Sequence, residues 1–99
     1  MKTISNVLDL FLQEKLKRSE NSKKSAQVAL TAYLKYARVD TRESVYYFDT
    51  VDLEHVINYQ NHLLEQGLSN NTVSNYIANL KTFLRFIKGY KYISNDLSY

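Results

Sequence analysis

The sequence has no cysteine and no proline, and only two glycines, Gly67 and Gly89. Without cysteine, a disulfide scaffold and thiolate metal sites are excluded. Without proline and with so little glycine, a turn-rich β sandwich and a phosphate-cradling glycine loop are disfavoured, and the composition suits helices. Long apolar runs are missing too, none approaching the ~20 residues that span a bilayer. Asp9 and Gln13 interrupt the first apolar stretch, so no signal peptide is read there. No membrane partner is expected, and a cytoplasmic location is the default.

What is present fits one soluble domain. Ninety-nine residues leave no room for two, and such a chain buries roughly two-thirds of its unfolded surface. The 44% hydrophobic and 23% charged content is ordinary for a globular protein. The net charge of +3 is mild, but its distribution is not. Residues 1–14 carry −1, residues 15–38 carry +6, residues 39–65 carry −5 and residues 66–95 carry +4, before Asp96. Alternating blocks of this kind can put two basic segments on one surface and the acidic segment on another, which makes a polyanion a natural partner.

Hydrophobic periodicity predicts four helices. The first covers about Ile4 to Leu16, with Val7, Leu8, Phe11, Leu12 and Leu16 on its stripe. Lys17 to Asn21 reads as a loop. The second helix covers about Lys23 to Ala37, with Ser22 as N-cap and Ala26, Leu30, Tyr33, Leu34 and Ala37 facing inward. Residues Val39 to Asp49 break the pattern, and Tyr46, Tyr47 and Phe48 within them are expected to tuck back onto the core. The third helix covers about Asp52 to Gln66, its inward side marked by Leu53, Val56, Ile57, Gln60, Leu63 and Leu64, and Gly67 fits its left-handed end. The fourth runs from about Asn70 to Lys88 behind an N-capping Ser69. Its stripe is Val73, Tyr76, Ile77, Leu80, Phe83, Leu84 and Ile87, and Gly89 is expected to stop it. Tyr33 and Tyr76 read as core; Tyr36, Tyr59 and Tyr90 read as partly exposed.

The chemistry lies on two outer faces. On the second helix, Lys24, Gln27, Thr31, Lys35 and Arg38 form a basic, polar stripe without one acid. The fourth helix is short and polar at its start, with Asn71, Thr72, Ser74, Asn75 and Ala78, and cationic later, with Lys81, Arg85 and Lys88. A helix entering a major groove wants this layout: Asn pairs with adenine edges, Thr and Ala methyls touch thymine, and cations reach flanking phosphates. The helix start also offers free N–H groups to an anion. The turn from Gly67 into Val73 has the look of a helix-turn-helix regulator as well. The third and fourth helices, at about fifteen and nineteen residues, are long for that compact motif. No enzyme site is read. His55 and His62, seven apart, lack the further ligands that zinc needs, and no carboxylate pair sits with a nucleophile. No cofactor is implied.

The third helix ends in Leu-Leu-Glu-Gln-Gly-Leu-Ser, followed by Asn-Thr-Val-Ser-Asn-Tyr-Ile-Ala-Asn-Leu-Lys-Thr-Phe-Leu-Arg-Phe. With Leu63, Gly67, Leu68, Ser69, Thr72, Val73, Tyr76, Leu80, Lys81, Phe83 and Phe86 on the motif positions, the chain resembles the core-binding, SAM-like N-terminal domain of tyrosine recombinases, the phage integrase family. The resemblance covers nearly the whole chain and implies an all-α, compact four-helix bundle that clamps one face of duplex DNA. It places Lys23, Lys24, Gln27, Thr31 and Lys35 of the second helix on DNA, with Asn71, Thr72, Asn75, Lys81, Arg85 and Lys88 of the fourth. It also implies a catalytic domain downstream in the same parent chain and other recombinase protomers on the DNA. Residues 1–93 would be the DNA-binding domain and 94–99 a frayed tail toward the catalytic domain. Asn95-Asp96 stands where the family often has Asn-Pro, and the family's catalytic Arg, Lys, His and Tyr set is not matched. This segment is therefore expected not to cut DNA alone. Met1, read as a native start, implies no arm-binding domain before it; read as a cloning addition, it implies nothing. The competing class is a helical protein-interaction module, with Tyr46 to Phe48 as its contact.

Overall fold

The computed structural model describes residues 2–94. Met1 and the 95–99 tail, with the Asn95-Asp96 junction, lie outside the described residues. Four α-helices follow in order: α1 (Ile4–Leu16), α2 (Glu20–Ala37), α3 (Leu53–Glu65) and α4 (Asn70–Gly89), with a 3-10 helix over Val45–Thr50 between α2 and α3. Each α-helix starts at a side chain that satisfies an orphan N–H. The Thr3 hydroxyl accepts from the Asn6 N–H at 3.2 Å, and the Asn6 side chain answers by accepting from the Thr3 N–H at 3.3 Å. Asp52 and Ser69 cap α3 and α4 by accepting from His55 and Thr72.

α2 begins three residues earlier than Lys23. Ser19 is its N-cap, accepting from the Ser22 N–H at 3.0 Å, and Glu20 sits in the first turn where the helix dipole favours an anion. Ser22 is thus inside the helix, and the loop shrinks to its first residues. At the far end Arg38 adopts a left-handed φ of 56°, and the Val39 N–H donates to Leu34 O at 3.1 Å. α4 does not stop at Gly89. It runs through it and closes two residues later, where Lys91 takes φ 62° and the Tyr92 N–H donates to Ile87 O at 2.9 Å. Gly67, with φ 84°, ends α3 as its composition predicts.

The core is built chiefly on α4, whose Val73, Ile77, Leu80, Phe83, Leu84 and Ile87 are all buried. α2 packs on α4 and on α1. Ala26 of α2 and Phe11 of α1 are among the residues at the centre, and the Phe11 ring lies 5.2 Å from Phe83. The 3-10 helix is tied to the start of α1 by the Ile4 N–H donating to Glu43 O and the Val45 N–H donating to Lys2 O. Phe48 is fully buried there, Tyr47 is half-buried and Tyr46 stays exposed, so one of the three aromatics makes the core contact in full. Ile93 is buried beyond α4, and the Ser94 N–H donates to Asp49 at 2.7 Å, which fastens the end of the described chain to the 3-10 helix.

α3 departs most from its expected stripe. Its inner line is Val56, Tyr59 and Leu63. Leu53, Ile57 and Leu64 lie outside it and are 40–44% exposed. Tyr59 is fully buried instead of partly exposed, because Tyr33 and Tyr36 of α2 pack on it with ring centroids 5.3 and 4.8 Å away. A ring that buries well over a hundred square ångströms outweighs the aliphatic side chains competing for that face. Tyr76 is half-buried rather than core, and Leu16 is exposed at the last turn of α1. Among the described residues no helix is long and apolar enough to cross a membrane.

Candidate nucleic-acid interface

The outer face of α2 comes out as periodicity requires. Lys24, Gln27, Thr31 and Lys35 are exposed, and Lys23 is half-buried. Between them lies Val28, 54% exposed, with Ala32 beside it. Together they form an open groove of about 480 Å3 with an apolar floor and a lysine toward each end. Val28 and Ala32 do not stand out in the sequence, since a valine on a polar stripe looks like an interruption. In place, the floor is a surface that a thymine methyl fits.

α4 presents two different grooves. Asn75, Ala78, Asn79 and Thr82 line an open polar groove of about 470 Å3 with Ser25 of α2 and Lys15 of α1. Thr82 and Arg85 then line a second one with Lys15 of α1, Arg18 of the turn after it and the exposed Tyr90. Lys15 is shared by both. Its stem crosses the Phe11 ring, with the ammonium 5.4 Å from the centroid. Partial burial, and then the like charge of Arg18, hold its pKa below the ordinary lysine value. Glu14 lines the same groove and pairs with Lys17 at 2.9 Å, so the two arginines and the lysine there face one acid that is already engaged. Lys15 and Arg18 were legible only as part of a basic block. Their position in the interface depends on the crossing of α1 with α4, which no single-helix pattern contains.

The predicted residues are not all gathered. Asn75 and Arg85 fall in the α4 grooves, and Lys24, Gln27, Thr31 and Lys35 in the α2 groove. Helix geometry puts Ser25 and Val28 about 60° apart around α2, so the two sets occupy adjoining faces of that helix. Thr72 is engaged at the α4 cap, where the Ser69 hydroxyl donates to its oxygen at 2.9 Å. Asn71 is exposed and Lys81 half-buried. Lys88 goes elsewhere: it lines a groove with Tyr46, Asp49 and Lys91 on the side of the 3-10 helix.

The acidic segment stays off this surface. Asp40 is bound by Arg42 of its own loop, whose guanidinium donates at 2.7 Å and holds the carboxyl down to about 2. Lys17–Glu14 and Arg42–Asp40 pair locally, and among the described residues Lys24, Lys35 and Arg85 make no salt bridge. His55 and His62 are not plain surface histidines. Both are half-buried, His55 at 3.0 Å from the Tyr33 hydroxyl and His62 against the Tyr36 ring. α3 and α4, at 13 and 20 residues, are too long for a compact helix-turn-helix.

No curated protein and no solved structure matches the chain. The family model for the phage integrase SAM-like domain matches residues 3–98. Nearly the whole chain, with its helical architecture, belongs to that family.

Proposed function

We propose that this domain holds duplex DNA at a recombination core site and positions the catalytic domain of a tyrosine recombinase to which it belongs. Residues 1–93 form the DNA-binding unit and 94–99 lead toward the catalytic part. The domain itself performs no chemistry; it works beside other recombinase protomers on the same DNA. The observation that carries this reading is the placing of Lys15 and Arg18 beside the polar face of α4, with Lys24 and Lys35 on the adjoining face of α2 and the acidic segment elsewhere. In that arrangement Lys15, Arg18, Lys24, Lys35 and Arg85 hold phosphates. The small and amide side chains between them reach base edges.

The test is an amide shift titration with a short duplex. At low salt, shifts concentrate on residues 15–35 and 69–85. With about five phosphates neutralised, affinity falls several-hundred-fold from about 50 to about 200 mM salt. Shifts that survive high salt, or that map to α3, remove the reading. No shifts even at low salt favour a protein-interaction module, which the exposed line of Leu53, Ile57 and Leu64 supports.

A further inference from the structure

At the crossing of α2 and α4, two asparagines are locked into complementary roles. Asn79 Nδ2 donates to the backbone carbonyl of Asn75 at 3.0 Å. A carbonyl only accepts, so that contact fixes which end of the Asn79 amide faces inward. The same Nδ2 also donates to Asn75 Oδ1. Asn75 Oδ1 takes a second hydrogen from the Ser25 hydroxyl at 3.1 Å, across the helix interface. Asn79 Nδ2 is therefore held by two acceptors and Asn75 Oδ1 by two donors. One donor group, Asn75 Nδ2, and one acceptor, Asn79 Oδ1, have no partner among the described residues, and both residues line the groove. Ala78 beside them adds only a methyl, so the groove stays open to an approaching edge.

A single free asparagine grips adenine with both ends of its amide. Neither side chain is free to do so alone here, but the pair together offers one donor and one acceptor on side chains joined by a hydrogen bond. That is the complement of adenine's major-groove edge, where N7 accepts and N6 donates. It does not match guanine, whose N7 and O6 both accept. We propose that Asn75 and Asn79 form one reading unit for an adenine, with Asn75 donating to N7, Asn79 accepting from N6, and Ser25 acting as the positioning residue that fixes the pair. The inference rests on the DNA-binding reading above.

The experiment selects bound duplexes from a random-sequence pool at low salt, using the full chain and its Ser25→Ala, Asn79→Ala and Asn75→Ala variants. All three positions are at the surface, outside the core. The wild-type pool is expected to fix one adenine, with a preference of about fivefold to about a hundredfold over other bases. Asn79→Ala and Asn75→Ala erase the preference at that position and keep the rest of the selected sequence; Ser25→Ala weakens it. Replacing the selected adenine by 7-deazaadenine, which lacks the N7 acceptor, weakens the wild type and leaves Asn75→Ala unchanged. Duplex binding with no such adenine, or with an adenine indifferent to all three variants, overturns this inference and leaves the DNA reading standing. No binding to any duplex removes both.

Discussion

Tyr33 and Tyr59 pack edge to face and are both inaccessible to solvent, yet their hydroxyls fare differently. That of Tyr33 meets the Tyr47 hydroxyl at 3.1 Å and His55 Nε2 at 3.0 Å. That of Tyr59 is buried without a partner among the described residues. Burial raises the pKa of both phenols above the ordinary value, that of Tyr59 to about 12. An unpaired buried hydroxyl costs its desolvation with no return, whereas removing a paired one strands its partners. Tyr59→Phe is therefore expected to leave stability unchanged or raise it by up to about 1 kcal/mol, while Tyr33→Phe costs about 1–2 kcal/mol. Urea midpoints at neutral pH measure both. The alkaline limb carries a further sign. The unfolded phenol loses its proton near 10 and the folded Tyr59 near 12, so the folded state holds more protons between those values and stability falls as pH rises through them. Tyr59→Phe should flatten that fall.

Two of the four helices close on a left-handed residue that is not glycine, Arg38 after α2 and Lys91 after α4. A side chain in that region costs about 1–2 kcal/mol, against about 0.4–1 kcal/mol of extra chain entropy for glycine in the unfolded state. Lys91→Gly is thus expected to stabilise the domain by about 0.5–1 kcal/mol, read as a rise in thermal midpoint. The same position shows where the sequence was misleading. Gly89 looks like the stop of α4, but nothing requires a positive φ there, and the closure falls where Ile87 O and Lys88 O find their donors. α1 and α4 were legible almost to the residue because each has one apolar line and a clear cap. α3 was not. Its leucines and isoleucine outrank Tyr59 on any hydropathy count, and only the opposing Tyr33 and Tyr36 decide which line turns inward. The interface divides in the same way. The α2 stripe and the polar face of α4 are periodic within a helix and could be read directly. The Ser25–Asn75 bond joins residues fifty apart, and the Lys15–Arg85 neighbourhood needs the packed bundle.

Across the whole molecule, charge is sorted into blocks. The +6 and +4 blocks supply α1's last turn, α2 and α4, while the −5 block covers the 3-10 segment and α3. The salt bridges Lys17–Glu14 and Arg42–Asp40 are local, and Lys24, Lys35 and Arg85 make none among the described residues. On the proposed reading, the field of these blocks turns an approaching duplex toward the α2–α4 face before contact. The packing further divides cations that the sequence groups together, since Arg85 faces the α1–α4 groove and Lys88 the 3-10 helix. Both lie on the last turns of one helix, so a model based on net charge alone treats them as equal. Salt titrations of duplex affinity separate the two accounts. If phosphates are held where the grooves lie, Arg85→Ala and Lys24→Ala each reduce the slope of log affinity against log salt by about 0.9, one phosphate's worth. Lys88→Ala lowers the long-range attraction slightly and leaves the slope in place. Equal slopes for Arg85→Ala and Lys88→Ala would mean that the whole end of α4 lies on the DNA, and the contact surface would then extend round to the 3-10 helix.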